Sequence, residues 1–337
     1  MIKDAIEKVL RKADLSPSEM EKVFEEIMTG VAKKEDVKTF LSVLAQKGES
    51  PSEIAAAAEV MRKKAAKVNV PTENLIDTCG TGGARINDIN VSTISAIVLA
   101  GCGLRIAKHG NRSFTGKCGS ADLLEALGVN ISKKPFEVAE LIRKAGIGFI
   151  FAPNFHPAMK NVMEARRELK TRTIFNILGP LSNPAGAKMQ IVGVYKAELT
   201  DIVAEALEKL GSERAYVVHG MEGLDEISIK GRTKISELKD GKVLPPRLIS
   251  PADFGIKEGR LEEVAGGLPA YNAKVALDIL NGKIGVPRDM VLINVSAALK
   301  MTGKVSDFEE GVKLAAFCID SGRAIEKLDK LRDLSSR

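Results

Sequence analysis

From residue 75 onward, short apolar segments rich in β-branched residues alternate with helical segments. The apolar segments cover residues 104–107, 147–151, 190–194 and 215–218, and the helical ones cover residues 120–127, 135–144, 157–169 and 200–210. This alternation predicts an α/β architecture with a mostly parallel central sheet. Ligands of such sheets bind beyond the carboxyl ends of the strands, so we expect the functional site in the loops at that edge.

The first seventy residues predict helices only. Ser16–Glu19 and Ser50–Glu53 each have the sequence of a capping box with proline at the first helical position. Gly30 and Gly48 stand where helices are expected to end. We therefore predict a small all-helical domain of about four helices over residues 1–70. No catalytic constellation is evident in it, which favours a role in packing or dimerisation.

The pattern changes again after Gly220. Residues 226–229 and 233–238 alternate in polarity and predict short antiparallel strands, with a turn at Asp240–Gly241. Three helices are predicted to close the chain. They cover residues 271–281, residues 288–301, and one long stretch over residues 307–334.

Charge and composition exclude several classes of protein. The net charge is +6, but the 50 basic residues are interspersed with 44 acidic ones, and aromatic residues make up only 4%. This disfavours nucleic-acid binding, which needs a basic groove and rings for stacking. The longest apolar run, residues 91–104, is too short to cross a membrane, and the charged amino terminus is no signal peptide. Four cysteines without Cys-x-x-Cys spacing predict a cytoplasmic protein rather than a disulfide or zinc framework.

Two glycine-containing loops carry the strongest functional signal. Gly80-Thr81-Gly82-Gly83 follows a short apolar segment, and Asn90–Thr93 has the small polar residues of a helix start. The second loop, Lys108–Arg112, carries cations. Glycine lets backbone N–H groups approach an anion, and a helix N-terminus adds positive potential. The two loops together predict a phosphate-rich ligand.

A pair of adjacent carboxylates, Asp225 and Glu226, follows Gly223-Leu224. Adjacent carboxylates repel each other, and a hard divalent cation relieves that repulsion. Magnesium prefers one or two carboxylates together with substrate phosphates and water. The pair is therefore a candidate Mg²⁺ site, although an acidic pair on a loop can also simply be solvated.

These segments, together with Gly119–Gly128 and Arg172–Pro184, resemble the anthranilate phosphoribosyltransferase family in order and spacing over nearly the whole chain. The resemblance implies a nucleoside phosphorylase-like phosphoribosyltransferase fold. In it the helical domain, completed by an inserted segment near residues 157–178, is hinged to a large α/β domain over residues 71–337. The implied protein is a cytoplasmic homodimer. The implied reaction joins anthranilate to phosphoribosyl pyrophosphate (PRPP) with Mg²⁺, two ions per active site, in tryptophan biosynthesis.

The resemblance also implies roles for individual residues. No acid or base is implied; Lys108, His109 and Asn111 would position the substrates and stabilise charge. Those implied to bind PRPP are Gly80, Thr81, Gly82, Gly83, Asp88, Asn90, Val91, Ser92, Thr93, Lys108, Arg112, Ser113, Thr115, Gly116 and Ser120. Those implied to bind anthranilate are Gly80, His109, Asn111, His156, Arg166, Gly179 and Pro180, with Arg166 on its carboxylate. Mg²⁺ would be held by Ser92, Asp225 and Glu226, and His219 is expected to be structural.

The chain departs from the family pattern beside the first glycine loop. Ala84-Arg85 replaces the usual aspartate and glycine, and Asp88 stands where threonine is usual. This leaves the number of metal ions at the loop open. We expect Asp88 to point away from the site.

Two alternatives remain at this point. A pyrimidine nucleoside phosphorylase shares the expected fold, but it would lack the anthranilate-side residues Asn111 and Arg166. A nucleic-acid-binding paralogue of the same fold would need a concentrated basic groove. The dispersed charge and the full set of small-molecule motifs disfavour this second alternative.

Overall fold

The computed structural model describes residues 1–83, 88–113 and 116–337. The α-helices of the described chain are α1 Ile2–Leu10, α2 Pro17–Thr29, α3 Lys34–Lys47, α4 Pro51–Lys64, α5 Val91–Gly101, α6 Ser120–Ala126, α7 Pro135–Ala145, α8 Ala152–Phe155, α9 Lys160–Leu169, α10 Ile174–Leu181, α11 Leu199–Lys209, α12 Pro269–Leu280, α13 Val286–Met301, α14 Phe308–Asp320 and α15 Arg323–Ser336. The strands are β1 Leu75–Gly80, β2 Arg105–Gly110, β3 Ile147–Phe151, β4 Met189–Gly193, β5 Arg214–Gly220, β6 Thr233–Lys239, β7 Lys242–Val243 and β8 Arg247–Ile249.

The strands form one mixed sheet in the order β3-β2-β1-β4-β5-β6-β7, with β8 also paired to β6. The first five strands of this order are parallel, and β6 runs antiparallel to β5. The chain leaves β1 toward β2 on one side and later returns to β4 on the other. The carboxyl ends of β1 and β4 therefore flank a topological switch point, the usual ligand site of such sheets.

Both faces of the sheet are buried, because successive side chains of each strand point to opposite faces. Ile191 packs in a cluster with residues of α5, α13 and α15, while its neighbour Val192 packs with residues of α4, α10 and α11. Because both faces are buried, the sequences of these strands are nearly continuous apolar segments. The predicted α/β class with a mostly parallel sheet is confirmed.

The four N-terminal helices form as predicted. Ser16 and Ser50 cap α2 and α4, each accepting a hydrogen bond from the backbone N–H three residues on at 3.3 Å. Their apolar faces join one cluster with α9, α10 and α11, and the Phe24 and Phe175 rings lie 5.5 Å apart. Packing within the chain thus covers apolar surface that four helices alone would leave exposed. The domain division at residue 70, the inserted segment and the hinge stay predictions.

Two predicted elements are wrong. The long C-terminal helix is broken into α14 and α15, since Gly322 adopts a left-handed conformation with φ of 79°. The break lets α15 pack back against α5 and α7. Residues 226–229 form no strand: the backbone N–H and C=O of Ile227 bond to the side chain of Asn294 on α13, at 3.1 and 3.2 Å. A side chain supplied by another element thus replaces the expected neighbouring strand.

The remaining elements agree with the predictions to within a few residues. The turn at Asp240–Gly241 is present, with both residues at positive φ, and joins β6 to β7. The short helix α8, helix α10 and strand β8 were not predicted. Within the described chain, no helix is both long enough and apolar enough to cross a membrane.

Candidate active site

Two glycines allow the carboxylate loop to reach the switch point. A Cβ on Gly193, the last residue of β4, would overlap the backbone carbonyl of Asp225. A Cβ on Gly80, the last residue of β1, would lie 2.8 Å from Oδ2 of Asp225. The absence of a side chain at both strand ends therefore brings the predicted metal-binding pair against the first glycine loop.

The two carboxylates are held by backbone amides. Oδ2 of Asp225 accepts from the N–H of Gly82 at 3.1 Å, and Oε1 of Glu226 accepts from the N–H of Ser92 at 3.1 Å. Burial raises the pKa of both carboxyls, and repulsion from Asp88 and Asp225 raises that of Glu226 further. The two carboxylates are thus clustered and desolvated, and nearby cations offset their charge only in part.

Lys108 is the buried cation of this cluster. Its side chain is 2% exposed, and Nζ donates to the carbonyl of Thr78 at 2.6 Å and lies 3.4 Å from Oγ of Ser92. Burial lowers its pKa, while the charges of Asp77 and Glu226 act in the opposite direction. Lys108 therefore lies beneath the start of α5, where it offsets the negative charge of Glu226 and Asp77.

The side chain of Asn90, which precedes the first residue of α5, is held by two other segments of the chain. Asn90 adopts a left-handed conformation with φ of 62°. Its Nδ2 donates to the carbonyl of Cys118 at 2.9 Å, and its Oδ1 accepts from Nδ2 of the buried Asn272 at 2.7 Å. These bonds tie the segment before α6, and α12, to the start of α5.

The second loop is organised by acidic residues of α6. The guanidinium of Arg112 donates to Asp122 and Glu125, each at 2.8 Å, so it is not free to reach an anion in this conformation. Oδ2 of Asp122 also accepts from the N–H groups of Ser113 and Gly119. The loop is thus closed on α6. Asn111 is exposed, while Ser120 donates to the Asn111 carbonyl at 3.1 Å.

A pair of buried histidines lies on the opposite face of β2 from Lys108. Nδ1 of His109 lies 3.1 Å from the carbonyl of Gly179, and its Nε2 lies 3.2 Å from Nε2 of His156. A carbonyl only accepts, so Nδ1 of His109 carries its proton and Nε2 accepts from His156. Burial lowers the pKa of His109 to about 3 and that of His156 to about 4. Both rings are therefore neutral at pH 7.

The neutral state of His109 predicts a specific pH dependence of stability. Unfolded histidine takes up a proton near pH 6.5, whereas folded His109 does so only near pH 3. The unfolded state thus binds more protons between these values, and stability falls as the pH falls through 6.5. We compare the free energy of unfolding of the wild type with that of His109→Gln. The difference between the two, wild type minus variant, should decrease by about 2 kcal/mol from pH 7 to pH 5. Urea unfolding at both pH values measures this; a difference independent of pH would contradict it.

Two arginines flank the site from the segment around α9. Arg166 is half-buried, its guanidinium carbon lies 5.4 Å from the centre of the Phe175 ring, and burial lowers its pKa. Arg172 stacks on the Tyr195 ring at 4.1 Å and donates to the carbonyl of Gly83 in the first glycine loop. Arg172 thus contacts the first glycine loop directly, whereas Arg166 contacts Phe175 on α10.

Sequence reasoning missed several residues that hold the site together. Asp77 is buried, and its carboxylate accepts from the N–H of His109 at 3.1 Å and from Asn183 at 2.8 Å. Burial raises its pKa to about 6. Asp77 and Asn183 stand inside the motifs that predicted the site, but nothing local indicates that they meet. Gly193 and Asn272 gave no signal in the sequence.

One expectation about Asp88 is wrong, and three of the residues singled out in the sequence lie outside the described ranges. Oδ1 of Asp88 accepts from the N–H groups of Asn90 and Val91, at the first turn of α5. Burial and the charge of Asp225 raise its pKa to about 7. Asp88 therefore faces the site rather than pointing away.

Ala84, Arg85 and Thr115 fall in the two stretches that the structure does not describe.

The residues present are suited to a divalent cation. Asp225 and Glu226 lie together at the mouth of the first glycine loop, with Ser92 bonded to Glu226. No group of three or more His, Cys, Asp or Glu side chains in the described ranges is arranged to hold a metal by itself. One or two carboxylates completed by substrate phosphates is the coordination that Mg²⁺ prefers.

Comparison with models of known protein families shows which class of enzyme the chain belongs to. The glycosyl transferase family's helical bundle domain matches residues 3–65, and its a/b domain matches residues 72–325. The chain is therefore an enzyme of the glycosyl transferase class, in keeping with a sheet whose switch point carries an anion loop.

Individual sequence relatives and solved structures identify the family within this class. An anthranilate phosphoribosyltransferase of Persephonella marina is 51% identical over 337 residues, covering 99% of each chain. The crystal structure of the Thermus thermophilus anthranilate phosphoribosyltransferase superposes with a TM-score of 0.93 at 39% identity, covering 99% of this chain and 100% of that one. The Saccharomyces cerevisiae enzyme in complex with PRPP and Mg has a TM-score of 0.92 at 29% identity, covering 99% and 98%. The chain belongs to the anthranilate phosphoribosyltransferase family.

Proposed function

We propose that this enzyme transfers the 5-phosphoribosyl group of PRPP to the amine of anthranilate, releasing pyrophosphate, in tryptophan biosynthesis. The proposal depends on one observation: a glycine loop, a helix N-terminus and a pair of adjacent carboxylates meet at the switch point of the sheet. Membership of the family supports the same reaction.

The donor subsite lies between the first glycine loop and the start of α5. The positive N-terminal end of α5 and the buried charge of Lys108 together favour a polyanion, and three of the four residues 80–83 are glycines, which leave room for it. Arg112 would need to leave Asp122 and Glu125 before it could contribute. We therefore assign it to the donor only after a rearrangement of the second loop.

Asp225, Glu226 and Ser92 would hold Mg²⁺ against the pyrophosphate. The ion would supply charge stabilisation for the departing pyrophosphate. The surroundings of the two carboxylates support this role, because burial and repulsion raise their pKa values even with Lys108 nearby, and a bound cation would relieve that repulsion. Two ions per site remain our expectation, and calorimetric titration with the donor present would count them.

The acceptor subsite would lie on the other face of β2, where His109 contacts Gly179 and His156, and Arg166 would reach it from α9. Neutral imidazoles present an uncharged wall to an aromatic ring. The planar guanidinium of Arg166 suits a carboxylate. Because β2 carries Lys108 toward one face and His109 toward the other, one strand would serve both subsites.

No strong base is required for this chemistry. The amine of anthranilate is neutral and nucleophilic near pH 7, and the barrier lies in breaking the bond between C1 and the pyrophosphate oxygen. The residues of this chain would align the amine with C1 and stabilise the leaving pyrophosphate with Lys108 and backbone N–H groups. This accounts for a site whose buried histidines are held neutral.

The reaction is tested by mixing the protein with anthranilate, PRPP and Mg²⁺ and following anthranilate fluorescence. Loss of fluorescence that requires all three additions supports the proposal. Consumption of a pyrimidine nucleoside and phosphate instead would favour the phosphorylase alternative, which Asn111 and Arg166 disfavour. Fluorescence that stays constant while the protein remains folded would refute the transferase reaction.

We also propose that the enzyme is a cytoplasmic homodimer that associates through its N-terminal helices. Leu10, the last residue of α1, and Val31, just beyond the end of α2, are 61% and 74% exposed, and closed twofold dimers are the commonest assembly. The four free cysteines suit a reducing compartment.

Light scattering at micromolar concentration should give twice the chain mass. The double variant Leu10→Glu, Val31→Glu should give the mass of one chain. A monomeric wild type would refute the dimer, and a dimeric double variant would refute its placement at these two residues.

A further inference from the structure

The backbone amides at the start of α5 are all occupied within the protein itself. The N–H groups of Asn90 and Val91 donate to Oδ1 of Asp88, at 2.7 and 3.4 Å. The N–H of Ser92 donates to Glu226 at 3.1 Å, and that of Thr93 donates to the carbonyl of Asn90 at 2.9 Å. A phosphate can therefore bind these amides only by displacing a carboxylate.

The first turn also contains an unsatisfied donor. Thr93 is 1% exposed, and its hydroxyl has no hydrogen-bond partner in the part of the chain that the structure describes. Buried hydroxyls are usually bonded, because an unpaired polar group in the interior costs free energy. The first turn of α5 thus has the donors of an anion-binding site, and the carboxylate of Asp88 occupies the position that an anion would take.

Asp88 can vacate the amides without moving its backbone. Its main chain bridges to Ala265, and a Cβ on Gly266 would overlap the Asp88 carbonyl oxygen, so the backbone at this position is tightly packed. The side chain is only half-buried. The Asp88 side chain can therefore leave the amides by rotating about its side-chain bonds. Repulsion from the carboxylates of Asp225 and Glu226 favours this rotation.

We propose that Asp88 limits the affinity of the donor subsite, because its carboxylate competes with donor phosphates for the amides of Asn90 and Val91. The proposal rests on the proposed function of this site. A threonine at position 88 would remove the competing charge, leaving the amides open to a phosphate. The wild-type chain therefore binds pyrophosphate-bearing ligands more weakly than its own fold allows.

The test is calorimetric titration of pyrophosphate, with and without Mg²⁺, into the wild type and two variants. Asp88→Thr should bind pyrophosphate about 3- to 30-fold more tightly, the range expected when a capping carboxylate is removed from competition. Asp88→Asn keeps an oxygen that can cap α5 but loses the charge, so it should fall between the two. The Asp88→Asn variant also tests the proposal by itself if Asp88→Thr fails to fold.

Asp307 provides a matched control. It caps α14 by accepting from the N–H of Glu310 at 2.8 Å, so Asp307→Thr removes a capping carboxylate outside the candidate site. Its pyrophosphate affinity should equal that of the wild type. Equal or weaker binding by both Asp88 variants, or no binding by any form of the protein, would overturn the proposal. A wild type that binds pyrophosphate but leaves anthranilate unconsumed would count against the transferase reaction alone.

Discussion

Replacing Asp225 and Glu226 by Asn and Gln is expected to abolish Mg²⁺-dependent turnover while changing the thermal stability of the free protein little. The amide oxygens can still accept from the N–H groups of Gly82 and Ser92, so the loop keeps its anchors. Removing two carboxylates also removes their mutual repulsion, which offsets the loss of a charge partner for Lys108. The expected loss is therefore specific to metal binding.

Three measurements separate the possible outcomes. Anthranilate consumption gives turnover, calorimetry with pyrophosphate gives Mg²⁺ binding, and the thermal midpoint gives stability. Asp329→Asn with Asp333→Asn removes two charges from the exposed face of α15, breaks only a surface ion pair with Arg332, and should leave turnover and Mg²⁺ binding unchanged and stability nearly so. A collapse of stability in the Asp225 and Glu226 variant would show that these residues are structural instead.

Arg166→Ala is expected to raise the KM for anthranilate about 30- to 150-fold, the equivalent of about 2–3 kcal/mol for a charge-assisted hydrogen bond. The neighbouring acids Glu164 and Glu168 pair with Lys34 and Lys38. Arg166 therefore has no acidic partner in the described chain, and its half-buried guanidinium stacks on Phe175. An aromatic carboxylate would supply the missing charge.

The adjacent Arg167 is exposed and provides the matched control. Arg167→Ala should leave the KM for anthranilate unchanged, and neither variant should alter the KM for PRPP. Arg166→Lys should recover part of the loss, because an ammonium restores the charge without the planar fork. An unchanged anthranilate KM in a folded Arg166→Ala variant would show that Arg166 is a packing residue.

The amino-acid sequence by itself determined the local elements and the class of ligand. Strand and helix alternation, the caps at Ser16 and Ser50 and the turn at Asp240–Gly241 are encoded within a few residues, and each formed as predicted. The glycine loop and the start of α5 were equally readable, since the signal for an anion site lies in consecutive residues. The local error, the break at Gly322, came from following apolar periodicity through a glycine that the fold uses to reverse direction.

Only the tertiary structure decided which distant residues meet. The approach of Asp225 to Gly80 and Gly193, the bond from Asn272 to Asn90 and the contact of His109 with His156 each join segments far apart in the chain. It also placed Asp88 on the amides of α5, where local reasoning had turned it away. Such contacts depend on the order of strands in the sheet and on the packing of helices against it. Both are set by the balance of burial over the whole chain rather than by any local pattern.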